Sequence, residues 1–227
     1  MSDSTPLTVA EPASAPTRGV VVVQEAFGVN EHIEDLCRRF AAESYLAVAP
    51  HLFHRSGDPS FGYDEVSLVW PHMEQLTPDG ILEDIDSAIA RLSEAGVAPE
   101  AVGIVGFCMG GSVALFTGTR RSIGAAVTFY GGGVSTGRFG FAPLVDEALT
   151  LRVPWLGLFG DLDESIPVED VEALRAAAAK SGQPIEVVRY PDAEHGFHCD
   201  QRSSYHPASS ADAWRRTLAW FDQHLAS

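Results

Sequence analysis

The apolar positions of this chain follow two alternating rhythms. Short runs at 20–24, 45–50, 103–107, 125–130, 153–160 and 185–190 are largely apolar and rich in branched or aromatic residues. Runs of this kind predict strands buried on both faces of a parallel sheet. Between them the apolar residues recur at helical spacing. Ile33, Leu36, Cys37, Phe40 and Ala41 form one stripe after Asn30 and Glu31. Ile81, Leu82, Ile85, Ala88, Ile89 and Leu92 form a second over 79–95, which Gly96 ends. Further helices are expected over 110–118, over 168–181 with Gly182 as its cap, and over 209–225 with Trp214, Leu218 and Phe221 inward. Strand and helix alternate throughout, which predicts an α/β fold whose mostly parallel central sheet carries helices on both faces.

Two stretches break the rhythm. Residues 51–79 contain Pro59, Pro71 and Pro78 together with Phe53, Phe61, Tyr63 and Trp70, and are expected to be irregular, ordered and pocket-lining. Residues 134–152 are expected to form a second irregular rim. Residues 1–18, rich in Ser, Thr, Pro and Ala, read as a flexible tail ahead of a single domain over 19–227.

Composition narrows the function classes. Hydrophobic residues at 45% and charged residues at 20% suit a soluble globule. A net charge of −16, from 15 Lys and Arg against 31 Asp and Glu, repels phosphate backbones and argues against nucleic acid as a partner. No apolar stretch reads as a secretory signal or membrane span. Cys37, Cys108 and Cys199 are odd in number and widely spaced, which fits neither a disulfide framework nor a structural metal site, and a reducing cytoplasm is the expected location. Cys37 falls on an apolar helix stripe and is expected in the core. His51 and His54 lack partners at helical spacing and read as loop histidines.

The chemistry centres on Gly103 to Gly111, Gly-Ile-Val-Gly-Phe-Cys-Met-Gly-Gly. A strand, a reactive residue flanked by glycines two positions away on each side, and a helix make a nucleophile elbow with cysteine in place of serine. Gly106 and Gly110 allow the turn to tighten and present Cys108 above the sheet. Carboxylates follow a later strand at Asp161 and Asp163, and a histidine follows the next at His195. A thiol of ordinary pKa needs a base, and an imidazole base needs a carboxylate to fix its tautomer. Asp163 is the expected acid, because Pro167 starts the following helix and leaves Asp163 in the loop. Glu25 ends the first buried strand, where open α/β sheets place their ligand crevice.

These residues carry a resemblance. Val-Gln-Glu-Ala-Phe-Gly-Val-Asn (23–30), Ala-Pro-His-Leu-Phe-His-Arg (49–55), Gly-Phe-Cys-Met-Gly-Gly (106–111), Phe-Tyr-Gly-Gly (129–132), Gly-Asp-Leu-Asp with Pro167, and Glu-His-Gly-Phe (194–197) are similar to motifs of the dienelactone hydrolases. Those are cysteine members of the α/β-hydrolase superfamily, and the likeness runs from about residue 19 to the terminal helix. It implies a Cys108, His195 and Asp163 triad, with Glu25 beside the thiol to help deprotonate it when substrate binds. The backbone N–H groups of Ala26 and Met109 would form an oxyanion hole. The implied reaction is hydrolysis of an enol-lactone or related activated ester through an acyl-thioester, with no metal and no organic cofactor.

The sequence departs from the family where substrate is chosen. Dienelactone enzymes hold a substrate carboxylate with two arginines, and the nearest positions here are around Tyr63 and at Cys199. Arg55 and Arg202 are the neighbouring arginines that could take that part. They join Phe27, Trp70, Tyr130 and Phe197 as candidate substrate-binding residues. The expected partner is a small ester or lactone, and the expected state a monomer or weak homo-oligomer. The alternatives are a general esterase or thioesterase without dienelactone activity, and a non-catalytic binding or regulatory protein on the same fold.

Overall fold

In chain order the elements are β1 (Leu7–Ala10), β2 (Arg18–Val23), α1 (Glu31–Ala42), β3 (Tyr45–Pro50), α2 (Val66–Met73), α3 (Pro78–Glu94), β4 (Val102–Phe107), α4 (Met109–Arg120), β5 (Ala125–Phe129), α5 (Leu144–Glu147), β6 (Trp155–Gly160), α6 (Val168–Ala178), β7 (Ile185–Tyr190) and α7 (Pro207–His224). The computed structural model describes residues 4–226. The strands form one seven-stranded sheet in the order β1-β3-β2-β4-β5-β6-β7. Strand β1 runs antiparallel to β3, and every other pair is parallel.

Burial explains the arrangement. Every residue of β3, β4, β5 and β6 is buried, as apolar runs without a polar face require. Strand β7, at the edge, keeps only Val187 and Tyr190 buried. One face of the sheet is covered by α1 and α7, whose Phe40 and Trp214 rings meet with centres 4.5 Å apart. Phe221 of α7 lies over Gly103 of β4, where a Cβ would come within 2.7 Å of the ring. The other face carries α3 and α4: Leu92 of α3 covers Gly19 of β2, and Gly118 of α4 packs toward Ala126 of β5. Trp155 Nε1 donates to Thr128 Oγ1 at 3.0 Å, and that hydroxyl donates to the Gly111 carbonyl at 2.9 Å, so β6, β5 and α4 are joined through the buried core. The loops at the carboxyl ends of the parallel strands therefore converge on one edge of the sheet.

Two expectations change. The first 18 residues are not all loose tail, because Leu7–Ala10 pairs with Ala47–Pro50 and covers the edge of β3. A short strand with half-buried side chains lacks the long apolar run that marks the inner strands. The 51–79 stretch is not irregular throughout, since it holds α2. That helix was hidden by Pro71 in its last turn and by outward-facing Val66, Leu68 and Trp70, which are about half exposed and leave no amphipathic stripe.

Asp84 of α3 fastens these additions to the core. It is 0% exposed, accepts from Thr5 Oγ1 at 2.7 Å and from Arg55 Nη1 at 2.7 Å, and pairs with His54 Nε2 at 3.0 Å. Replacing Asp84 by alanine strands these partners at a buried junction and is expected to cost about 3 kcal/mol. In urea unfolding the midpoint should fall with little change in slope.

Candidate active site

Strand β4 ends at Phe107 and α4 starts at Met109, so the chain reverses at one residue, Cys108. Its backbone sits at φ 53° and ψ −114°, a conformation that costs an L residue about 1–3 kcal/mol. Two glycines make this turn possible. A Cβ on Gly106 would lie 1.8 Å from the Gly110 carbonyl oxygen, and one on Gly110 would lie 2.4 Å from the Val23 carbonyl oxygen. The Cys108 N–H donates to the Phe129 carbonyl at 3.1 Å, tying the turn to β5. The thiol is partly exposed at the N-terminus of a 12-residue helix, where the dipole favours negative charge.

The other two members of the expected triad meet on the loops after β6 and β7. Asp163 Oδ2 pairs with His195 Nδ1 at 2.6 Å. Its second oxygen, Oδ1, accepts from the Ser165 N–H at 2.9 Å and from Ser165 Oγ at 2.6 Å. With Nδ1 committed to Asp163, Nε2 is the nitrogen left for chemistry. Burial raises the Asp163 pKa, but the contacts with His195 and Ser165 outweigh it and hold the carboxyl below its ordinary value. For His195, burial acts to lower the pKa. The negative form of Cys108 and the bond to Asp163 overcome it and push the imidazole up to about 10.

Glu25, 1% exposed, lies at the end of β2. Its Oε2 accepts from the Tyr63 hydroxyl at 3.0 Å and its Oε1 from Arg202 Nη1 at 3.4 Å. The Arg202 guanidinium stands 5.8 Å from the Phe27 ring centre and 5.5 Å from that of Tyr63, and these two rings meet edge-on at 4.7 Å. Tyr130 is fully buried at φ 39°, with its ring 5.1 Å from that of His195. Ala26 and Met109 follow Glu25 and Cys108 on the neighbouring ends of β2 and β4, and neither backbone N–H has an acceptor among the described residues. A cleft of about 650 Å³ opens here, bordered by Tyr63, residues 162–165, Glu194, His195 and residues 201–204.

Three candidates lie elsewhere. Arg55 is held by Asp84 and by Glu83, with Nη2 3.0 Å from the Glu83 carboxylate, so the buried charge of α3 removes it from the cleft. Trp70 is half exposed and borders a separate groove with Met73, Arg138 and Phe139. Phe197 is wholly buried, 5.3 Å from Tyr130, and packs behind the site rather than lining it. The sequence reading missed Ser165 and the hydroxyl of Tyr63. Ser165 could have been found from the Asp-x-Ser spacing, since an aspartate readily accepts from the backbone two residues on.

Comparison with known proteins agrees with this architecture. A model of the dienelactone hydrolase family matches residues 6–225. The chain belongs to that family. Relatives named provisionally as carboxymethylenebutenolidases include one from Yersinia pestis, 40% identical, covering 99% of this chain and 86% of that protein. Another, from Methylorubrum extorquens, is 38% identical and covers 95% and 74%. A crystal structure described provisionally as a dienelactone hydrolase from Klebsiella pneumoniae superposes with a TM-score of 0.89 at 40% identity, covering 97% of this chain and 93% of that one. This dienelactone hydrolase family member has the α/β-hydrolase fold and is an ester or lactone hydrolase.

The raised His195 pKa makes a measurable claim. A folded-state pKa of about 10 against an unfolded value of about 6.5 gives stability that is complete below about pH 6.5 and lost as pH rises through about 10. Histidine NMR of the wild type should show His195 titrating far above its ordinary value. In Cys108→Ser, which removes the sulfur, the apparent pKa should fall; coincident curves would assign the shift to Asp163 alone.

Proposed function

We propose that this chain hydrolyses an enol-lactone or a related activated ester through Cys108, His195 and Asp163. The observation that carries the reading is His195, bonded through Nδ1 to Asp163 at 2.6 Å, on the loop beside the elbow that raises Cys108. Once Glu25 has taken the thiol proton, the Cys108 thiolate and a protonated His195 form the charge-separated pair that a cysteine nucleophile uses.

The Cys108 sulfur attacks the substrate carbonyl carbon, and the electron pair of the C=O bond moves to oxygen. The N–H groups of Ala26 and Met109 receive that oxyanion, each donor being worth about 2.7–4 kcal/mol to the transition state. When the carbonyl re-forms, the bond to the enol or alcohol oxygen breaks and His195 supplies that oxygen with a proton. The acyl group is then a thioester on Cys108. His195, now neutral, takes a proton from water as the water attacks the thioester, which releases the acid and the thiolate. Asp163, fixed by Ser165, keeps the imidazole oriented through both halves of the cycle.

Glu25 is engaged by Tyr63 and Arg202 at rest. An anionic group entering the cleft competes for Arg202 and frees Glu25 to accept the thiol proton. This favours a substrate with a free carboxylate. Tyr63, standing near the position of a family arginine, favours a second reading in which uncharged esters are also turned over.

Cys108→Ala should lose hydrolysis of an activated aryl ester by about 10⁶-fold if the triad acts as a unit, and unchanged turnover would sink the assignment. An ester panel with and without a free carboxylate separates the two readings of substrate. A kcat/KM preference of about tenfold or more for the anionic member, lost in Arg202→Gln, is the outcome expected of a substrate that competes with Glu25.

A further inference from the structure

Next to the catalytic groups lies a second cluster that the hydrolytic cycle does not use as a unit. Glu25 follows β2, His32 is in the first turn of α1, and Cys199 is in the loop four residues after His195. Their exposures are 1%, 2% and 0%. A carboxylate oxygen, an imidazole nitrogen and a thiol sulfur of these three side chains all lie within 4.8 Å of one another.

Core packing does not account for His32. Its Nε2 is buried without a hydrogen-bond partner among the described residues, a condition that costs about 1–3 kcal/mol. The same is true of Nε2 in His198, whose ring centre is 6.4 Å from that of His32. His32 thus brings an unpartnered imidazole nitrogen to a cluster that also holds a buried carboxylate and a buried thiol.

We propose that Glu25, His32 and Cys199 form a binding site for a zinc-like divalent cation, and that its occupation inhibits hydrolysis by withdrawing Glu25 from Tyr63 and Arg202. Oxygen, nitrogen and sulfur together suit a borderline-soft ion, whereas magnesium or calcium would call for oxygen ligands only. Zinc bonds of about 2.0–2.3 Å place tetrahedral ligands about 3.5 Å apart. The cluster must therefore close by roughly 1 Å, a movement within the reach of side-chain rotation. The ion bonds to the Cys199 sulfur as the thiol proton leaves to solvent. The carboxylate and thiolate balance its two charges, and one coordination position remains for water. Tyr63 and Arg202 border the cleft and also hold Glu25, so the path from solvent runs past them. The inhibition rests on the role of Glu25 proposed above, but the binding does not.

The test uses the whole chain with Cys108→Ala, so that the catalytic thiol cannot ligate the ion. Zinc should bind one to one in competition with a chromophoric chelator. Cys199→Ser and His32→Gln in that background should each weaken binding by more than the roughly 10–100-fold typical of losing a supporting group. Because a buried substitution can impair folding, cobalt gives a second readout. The chain has three cysteines, so Cys37→Ser with Cys108→Ala leaves Cys199 as its one thiol. A thiolate-to-cobalt charge-transfer band in that protein is expected. Absence of the band, or zinc affinity unchanged by both ligand substitutions, overturns the site. In the protein with Cys108 intact, zinc inhibition of ester hydrolysis should be relieved by Cys199→Ser. Binding without inhibition would keep the site and overturn its link to Glu25.

Discussion

The structure depends on one contact between backbones. At Gly106 the strand passes so near to the first turn of α4 that a single methyl group would collide with the Gly110 carbonyl. Close approach allows the chain to reverse over one residue, and that reversal places Cys108 at positive φ with its sulfur outside the sheet. The strain is confined. The surrounding strands are buried and fully paired, and the Phe129 carbonyl holds the Cys108 amide, so the sheet imposes a conformation that an isolated peptide would abandon.

Around the elbow, charges are arranged so that each has a holder. Ser165 fixes Asp163, Asp163 fixes His195, and His195 faces the thiol. On the opposite side Tyr63 and Arg202 fix Glu25. These two carboxylates are the buried anions of the site, and each is held by hydrogen-bond donors from outside its own strand. A low-dielectric site tolerates such charge only in pairs, which is why the loops supplying Ser165, Tyr63 and Arg202 matter as much as the elements supplying the reacting groups.

The inner strands, the main helices, the elbow at Cys108 and the loop positions of Asp163 and His195 were legible because each rests on a local signal. Apolar runs mark buried strands, glycine spacing marks the elbow, and Pro167 marks the start of α6. What escaped depends on partners distant in sequence. Leu7–Ala10 becomes a strand because β3 offers an open edge, and α2 forms despite Pro71 because its inner residues Val69 and Met73 reach the core. Arg55 and Arg202 look equivalent in sequence. Only the fold shows that Asp84 captures one while Glu25 captures the other.

Gly196 carries a consequence of its own. It stands at φ 79° directly after His195, and the Arg202 guanidinium occupies the space that a side chain there would need, with Nη1 2.5 Å from the Cβ position. Glycine at 196 is thus a vacancy shaped for another residue's charge. The two positions are coupled: a side chain at 196 would displace the Arg202 guanidinium, and with it the counter-charge of Glu25.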